Sequence, residues 1–186
     1  SFDETQEPST ALALINATNT NIGAMSMQAI DSLIESSLAM GLETRKFVSN
    51  SKNAIRCAEV LAVAAALMHL TQHHNKSTLQ QVLVKAKGLS MPLRNALRTI
   101  IPALKYEKGI VMYDAEGEHV TLVTLPNGKV SVRPKIDQDA LDVLMFQARR
   151  VMLTDSKEWK TIDILSEAWK ATFKPINRLV VANTNI

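Results

Sequence analysis

Cysteine occurs once in 186 residues, as Cys57. No intramolecular disulfide can form, and a reducing compartment such as the cytoplasm is the simplest fit. Aromatic residues make up only 4% of the chain. The core must therefore come from Leu, Val, Ile, Ala and Met, and the density of Ala and Leu points to helix. Long apolar runs are missing. The most apolar stretch, residues 60–70, is about half of the roughly 18 residues that cross a bilayer, and it carries His69. No membrane role is expected. The opening Ser1-Phe2-Asp3-Glu4 has no basic segment ahead of an apolar one, so no secretory leader is expected there.

Signatures of catalysis are lacking too. There is no Gly-rich phosphate loop, no G-x-S-x-G elbow and no recognisable Cys/His pairing. Asp114, Glu116 and Glu118 fall in a hairpin turn, where solvated carboxylates are ordinary. Asp137, Asp139 and Asp142 fall at a helix start, where the helix dipole favours them. His69 and His73 stand at i and i+4, with His74 beside them, which is half of a zinc site. No acid or cysteine nearby in sequence completes it. A non-enzymatic protein with no metal and no cofactor is expected.

What the chain does have is a lopsided charge distribution. Its net charge is +3, yet residues 1–43 contain six acids and no Lys or Arg. Residues 44–113 hold eleven basic residues against Glu59 and Glu107. A local excess of this kind is a candidate footprint for a polyanion. Pairing of the acidic N-terminal segment with this region is the plainer reading.

The pattern along the chain predicts an α+β protein. Residues 1–21, rich in Thr, Asn, Ser and acids, read as a flexible acidic tail, residues 22–182 as one domain, and residues 183–186 as a loose C-terminus. Apolar spacing predicts an amphipathic helix over residues 26–40 and a buried one from Ser51 to His73, apolar all round at its centre. Such an Ala-rich helix suits a dimer as well as a monomer. Ser77 with Gln80 fits a capping box, and Gly88 a left-handed helix stop. Ser90 heads a third helix presenting Leu93, Leu97, Ile100, Ile101 and Leu104, with Pro102 predicting a kink or an early end. Residues 109–113, 119–125 and 130–132 read as a three-stranded antiparallel meander, its second turn marked by Asn127-Gly128. A helical layer follows, with Asp137 capping one helix and Thr154 or Asp155 another along which Trp159, Ile162, Leu165 and Trp169 keep helical spacing. Residues 178–181 suggest a last strand.

The order helix, helix, Gly88-Leu89-Ser90 turn, helix, β-hairpin across residues 51–132 resembles winged-helix DNA-binding domains. That resemblance implies a third helix in the major groove and a hairpin on the backbone or in the minor groove. By position, the reading side chains would be Arg94, Asn95 and Arg98, with Thr99 beside them. Arg94 departs from the pattern, in which a buried aliphatic is usual. Further basic residues are spread over Arg45, Lys46, Lys52 and Arg56, over Lys85 and Lys87, and over Arg149 and Arg150. A second signal is aromatic residues among basic ones. Tyr106 lies between Lys105 and Lys108, and Phe173 between Lys170 and Lys174, with Arg178 beyond. Basic grooves that track phosphates and aromatic faces that stack bases hold single strands. Trp159 and Trp169, sharing a helical face, read as core instead.

The small chain, with Asn/Thr-rich tails and no catalytic signature, is also similar to phage-encoded single-stranded-DNA-binding accessory proteins, including those that assist an RNA polymerase. The expectation is a DNA-binding protein without catalysis, favouring single-stranded or locally melted DNA, in transcription or replication support. That similarity implies an RNA polymerase or another replication or transcription protein as partner. A duplex-binding winged-helix regulator is the alternative within this class. An interaction protein with a basic face for an acidic partner is the alternative outside it.

Overall fold

The computed structural model describes residues 52–85, 88–107, 110–114 and 117–175. The expected tail over 1–21, the helix over 26–40, the strand over 178–181 and residues 183–186 lie outside them. So do Arg45, Lys46, Lys87, Lys108, Arg178 and the side chain of Lys85.

The fold is α+β. Helix α1 (Lys52–His73) is followed by α2 (Ser77–Lys85) and α3 (Met91–Ile100). Strands β1 (Leu104–Glu107) and β2 (Ile110–Tyr113) form one antiparallel ribbon, and β3 (Val120–Thr124) and β4 (Val130–Pro134) form another. Helix α4 (Gln138–Met152), a 3₁₀ turn (Ser156–Thr161) and the short α5 (Glu167–Thr172) complete the chain.

Helix α1 is the centre. Its middle, from Cys57 through Leu67, is buried on every side, because α4, α2, α3 and the 3₁₀ turn all pack on it. By length and apolarity α1 could cross a membrane, but most of it is already enclosed by the rest of the fold. Small side chains at Ala62, Ala64, Ala65 and Ala66 leave room for these neighbours.

Helix α3 ends early, and Pro102 is the cause. A residue before proline is pushed out of the helical region, and Ile101 sits at φ −123° and ψ 84°. The chain then turns, Leu104 N–H bonding the Ile101 carbonyl at 3.0 Å. Residues 104–107 enter a strand instead of extending the helix. That strand takes β2 as its partner, so the expected three-stranded meander is replaced by two separate two-stranded ribbons. The Asn127-Gly128 turn forms as its residues predict, with Gly128 at φ +81° and the Asn127 side chain accepting from Lys129 N–H at 3.0 Å.

Two caps differ from expectation. Ser77 lies inside α2, and its N–H is held by the Asn75 carboxamide oxygen at 2.9 Å. Gln80 accepts from Val111 N–H at 3.3 Å, tying α2 to β2, and does not reach back to close a capping box. Asp137 caps α4 through Ala140 N–H at 3.1 Å, as its sequence position implies.

The C-terminal layer is less helical than its spacing suggests. The Trp159 indole N–H reaches the carbonyls of Val151 and Thr154 at 3.0 and 3.1 Å. This folds the 3₁₀ turn back on the end of α4, so no straight helix can run on to Trp169. Ser166 restarts the chain as the N-cap of α5, and its hydroxyl also accepts from buried Gln147 at 2.8 Å.

Candidate nucleic-acid interface

Helix α3 is amphipathic. Leu93, Ala96, Leu97 and Ile100 face the core, while Met91, Arg94 and Arg98 are exposed. The two arginines stand one turn apart on the solvent side. Neither has an ion-pair partner among the described residues. At the head of this helix, Glu59 of α1 accepts from the backbone and hydroxyl of Ser90. Before it, Gly88 adopts φ +93°, and the Arg94 guanidinium lies where a side chain at Gly88 would begin.

Asn95 does not belong to this surface. It is only 5% exposed, and its side-chain amide oxygen is buried with no hydrogen-bond partner among the described residues. From this position it cannot reach a base edge. Thr99 is half-buried and donates to the Asn95 backbone carbonyl at 2.8 Å.

The ribbons follow α3 directly. Lys105 is exposed but pairs with Asp114 at 3.5 Å, which neutralises part of its charge. Tyr106 is 42% exposed, on a strand between Lys105 and Glu107. After the second ribbon the chain returns to the end of α3, where Asp137 N–H bonds the Ile100 carbonyl at 2.9 Å. Lys129 and Lys135 are exposed on that ribbon and Arg133 is half-buried. Sequence reasoning passed over these three because the net charge of residues 114–143 is negative. The usable signal was the basic residues within a hairpin marked by Asn127-Gly128.

The remaining candidates lie elsewhere. Lys52 and Arg56 begin α1, where Asn53 donates to the Lys160 carbonyl at 3.3 Å. This sets the start of α1 against the 3₁₀ turn that carries the exposed Lys157 and Lys160, far away in sequence. Arg150 faces the same region, close enough to Cys57 to oppose the effect of burial on its thiol. Arg149 is exposed on α4. At the C-terminal end, Lys170 pairs with Glu167 at 3.5 Å and Lys174 is exposed. Phe173 is a correction. It is buried, edge-on to Trp169 with ring centroids 4.7 Å apart, and offers no face to a base. Trp159 and Trp169 are core, as their spacing implies.

Nothing in the described residues resembles a metal centre. No group of three or more His, Cys, Asp or Glu converges among them. His69 is buried against the Thr78 hydroxyl at 3.2 Å and stacks obliquely on His73. Burial drives the Cys57 thiol up to about 12, with Arg150 only partly opposing, so it is no nucleophile.

No protein-family model, no curated protein and no solved structure matches this chain.

Proposed function

We propose that this protein binds DNA without catalysis, through the solvent face of α3 and the ribbons that follow it in the chain. The observation that carries the reading is the pair Arg94 and Arg98, exposed one turn apart with no carboxylate to satisfy them among the described residues. Arginine at such positions meets phosphate oxygens or a guanine edge. Lys135 adds positive charge where the chain comes back to the end of α3, and Lys129 adds it at the turn of the second ribbon.

Between the two forms of DNA, duplex fits better. Stacking platforms are what single strands need, and of the aromatics considered for that role only Tyr106 is exposed. An amphipathic helix entered through a Gly88 turn and followed by a β-ribbon suits a groove. A place in transcription or replication in the cytoplasm, alongside a polymerase or another partner of that machinery, is the setting in which such a protein would work.

Titrating labelled single- and double-stranded oligonucleotides at two salt concentrations tests this. Duplex preference with affinity falling steeply as salt rises is expected. Preference for single strands would return the reading to melted DNA. Binding to neither at low salt would leave an acidic protein partner as the only use for the basic face.

A further inference from the structure

The β3–β4 ribbon carries an edge that is built to be paired. Strand β4 lies beside β2, whereas β3 makes no substantial contact with any described element except β4. Two hydrogen bonds fix the phase of the ladder, Leu125 N–H to the Lys129 carbonyl and Lys135 N–H to the His119 carbonyl, both 2.8 Å. In an antiparallel pair, bonded and non-bonded positions alternate. The odd-numbered residues of β3 therefore bond to β4, and Val120, Leu122 and Thr124 direct their N–H and C=O groups outward. Pro134, which has no N–H, stands opposite Val120 at a position that needs none.

The two edges of this ribbon are defended differently. Natural edge strands are guarded by charge or proline. Strand β4 contains Arg133 and Pro134, with Lys129 and Lys135 flanking it. Strand β3 reads Val-Thr-Leu-Val-Thr, with no charge, proline or glycine, and is almost entirely β-branched. Of the residues whose backbone groups point outward, Val120 is half-buried, Thr124 is exposed, and Leu122, at the centre, is 63% exposed.

We infer that β3 pairs antiparallel with β3 of a second copy, about a two-fold axis at Leu122. Leu122 then faces Leu122, and Val120 of each copy faces Thr124 of the other. Each of these residues exchanges both of its outward backbone bonds. An isologous contact must be self-complementary, and an uncharged strand meets itself without like-charge repulsion. The flanking charges raise no repulsion either, since in this register Glu118, just before β3, stands opposite Pro126 of the other copy, at the turn that leads to Lys129. The apolar stripe of Val120, Leu122, Val130 and Val132 becomes continuous across four strands. Its contact is small, so the dimer forms in a concentration-dependent way.

Sedimentation velocity on the full chain, without nucleic acid, tests this independently of any DNA role. The wild type shifts from monomer to dimer as concentration rises. Leu122→Lys and Leu122→Glu, which set like charges opposite each other, each weaken the dimer by roughly tenfold or more, and an equimolar mixture of the two restores it. Val130→Lys, on the inner strand, leaves the dimer in place. A second variant pair needs no charge at the edge. Leu122→Cys forms a disulfide-linked dimer under mild oxidation, because directly bonded pairs have Cα atoms about 5.5 Å apart, within disulfide reach. Thr121→Cys, which would face Val123, does not. A wild type that stays monomeric at every concentration overturns the proposal. So does a charge mixture that fails to associate, a Val130→Lys variant as impaired as Leu122→Lys, or a Thr121→Cys variant that cross-links equally well.

Discussion

Glu59, in the middle of the buried helix α1, accepts hydrogen bonds from both the backbone N–H and the hydroxyl of Ser90, at 3.1 and 2.5 Å. Ser90 is the N-cap of α3, and its own hydroxyl bonds no N–H of that helix. A carboxylate from another helix thus stands at the positive end of α3, where the dipole favours it. The element that carries Arg94 and Arg98 is aimed by a contact 31 residues back in the chain.

Glu59→Ala is expected to destabilise the protein by about 2–3 kcal/mol, since it removes a buried charged acceptor and leaves the Ser90 donors unmatched. Glu59→Gln keeps an acceptor and costs less. Urea unfolding of the three proteins, with unchanged denaturant slopes, checks the order.

Gly88→Ala is expected to cost about 1 kcal/mol. The cost comes from φ +93°, which an L side chain resists. The nearest clash is with Arg94 Nη2, 2.7 Å from the added carbon, and the end of a flexible side chain moves cheaply. The displaced guanidinium should also change DNA affinity. Affinity measured at temperatures where both proteins are folded separates that effect from stability.

Arg98→Glu should weaken oligonucleotide binding and lower the slope of log affinity against log salt by about 1, with little effect on folding. The Arg94→Glu, Arg98→Glu double variant should reduce it further. Binding that survives the double variant unchanged would move the interface to the Lys52, Arg56, Lys157 and Lys160 cluster.

Alkaline pH should destabilise the fold. Burial raises the Cys57 thiol from its ordinary 9.0 to about 12, and raises the Tyr113 phenol from 10.0 to about 12. Both groups hold their protons more tightly when folded. Their contribution is therefore whole below the unfolded values and is lost as pH climbs from 9 towards 12. Chemical denaturation should show this decline beginning near pH 9. Cys57 should resist thiol reagents at pH 8 until the protein is unfolded.

Tryptophan emission should be that of buried indoles and should not respond to added oligonucleotide, since Trp159 and Trp169 are both core. Strong quenching by single strands, with folding intact, would contradict that placement.

Much of the local structure was legible in the sequence. The buried α1, the left-handed stop at Gly88, the Asn127-Gly128 hairpin and the Asp137 cap each depend on residues adjacent in the chain. Where reading failed, the way one element meets another had decided. Trp159, Ile162 and Trp169 keep helical spacing, yet the Trp159 indole bonds back to the end of α4 and breaks that helix. Leu104 keeps the spacing of α3, yet Pro102 turns it into a strand whose partner is β2. Asn95 and Phe173 looked like binding residues by type and neighbours, but which face of an element meets the core is set by what packs against it.

Composition, charge and periodicity therefore determined an α+β chain with one apolar central helix, a basic middle segment and turns at fixed positions. Only tertiary structure decided which basic residues lack a counter-charge among the described residues, which aromatics are core, and that no described element other than β4 packs substantially on β3. The reason is physical. Helix propensity, turn conformation and net charge are properties of neighbouring residues, whereas burial, ion pairing and strand pairing depend on groups that folding brings together.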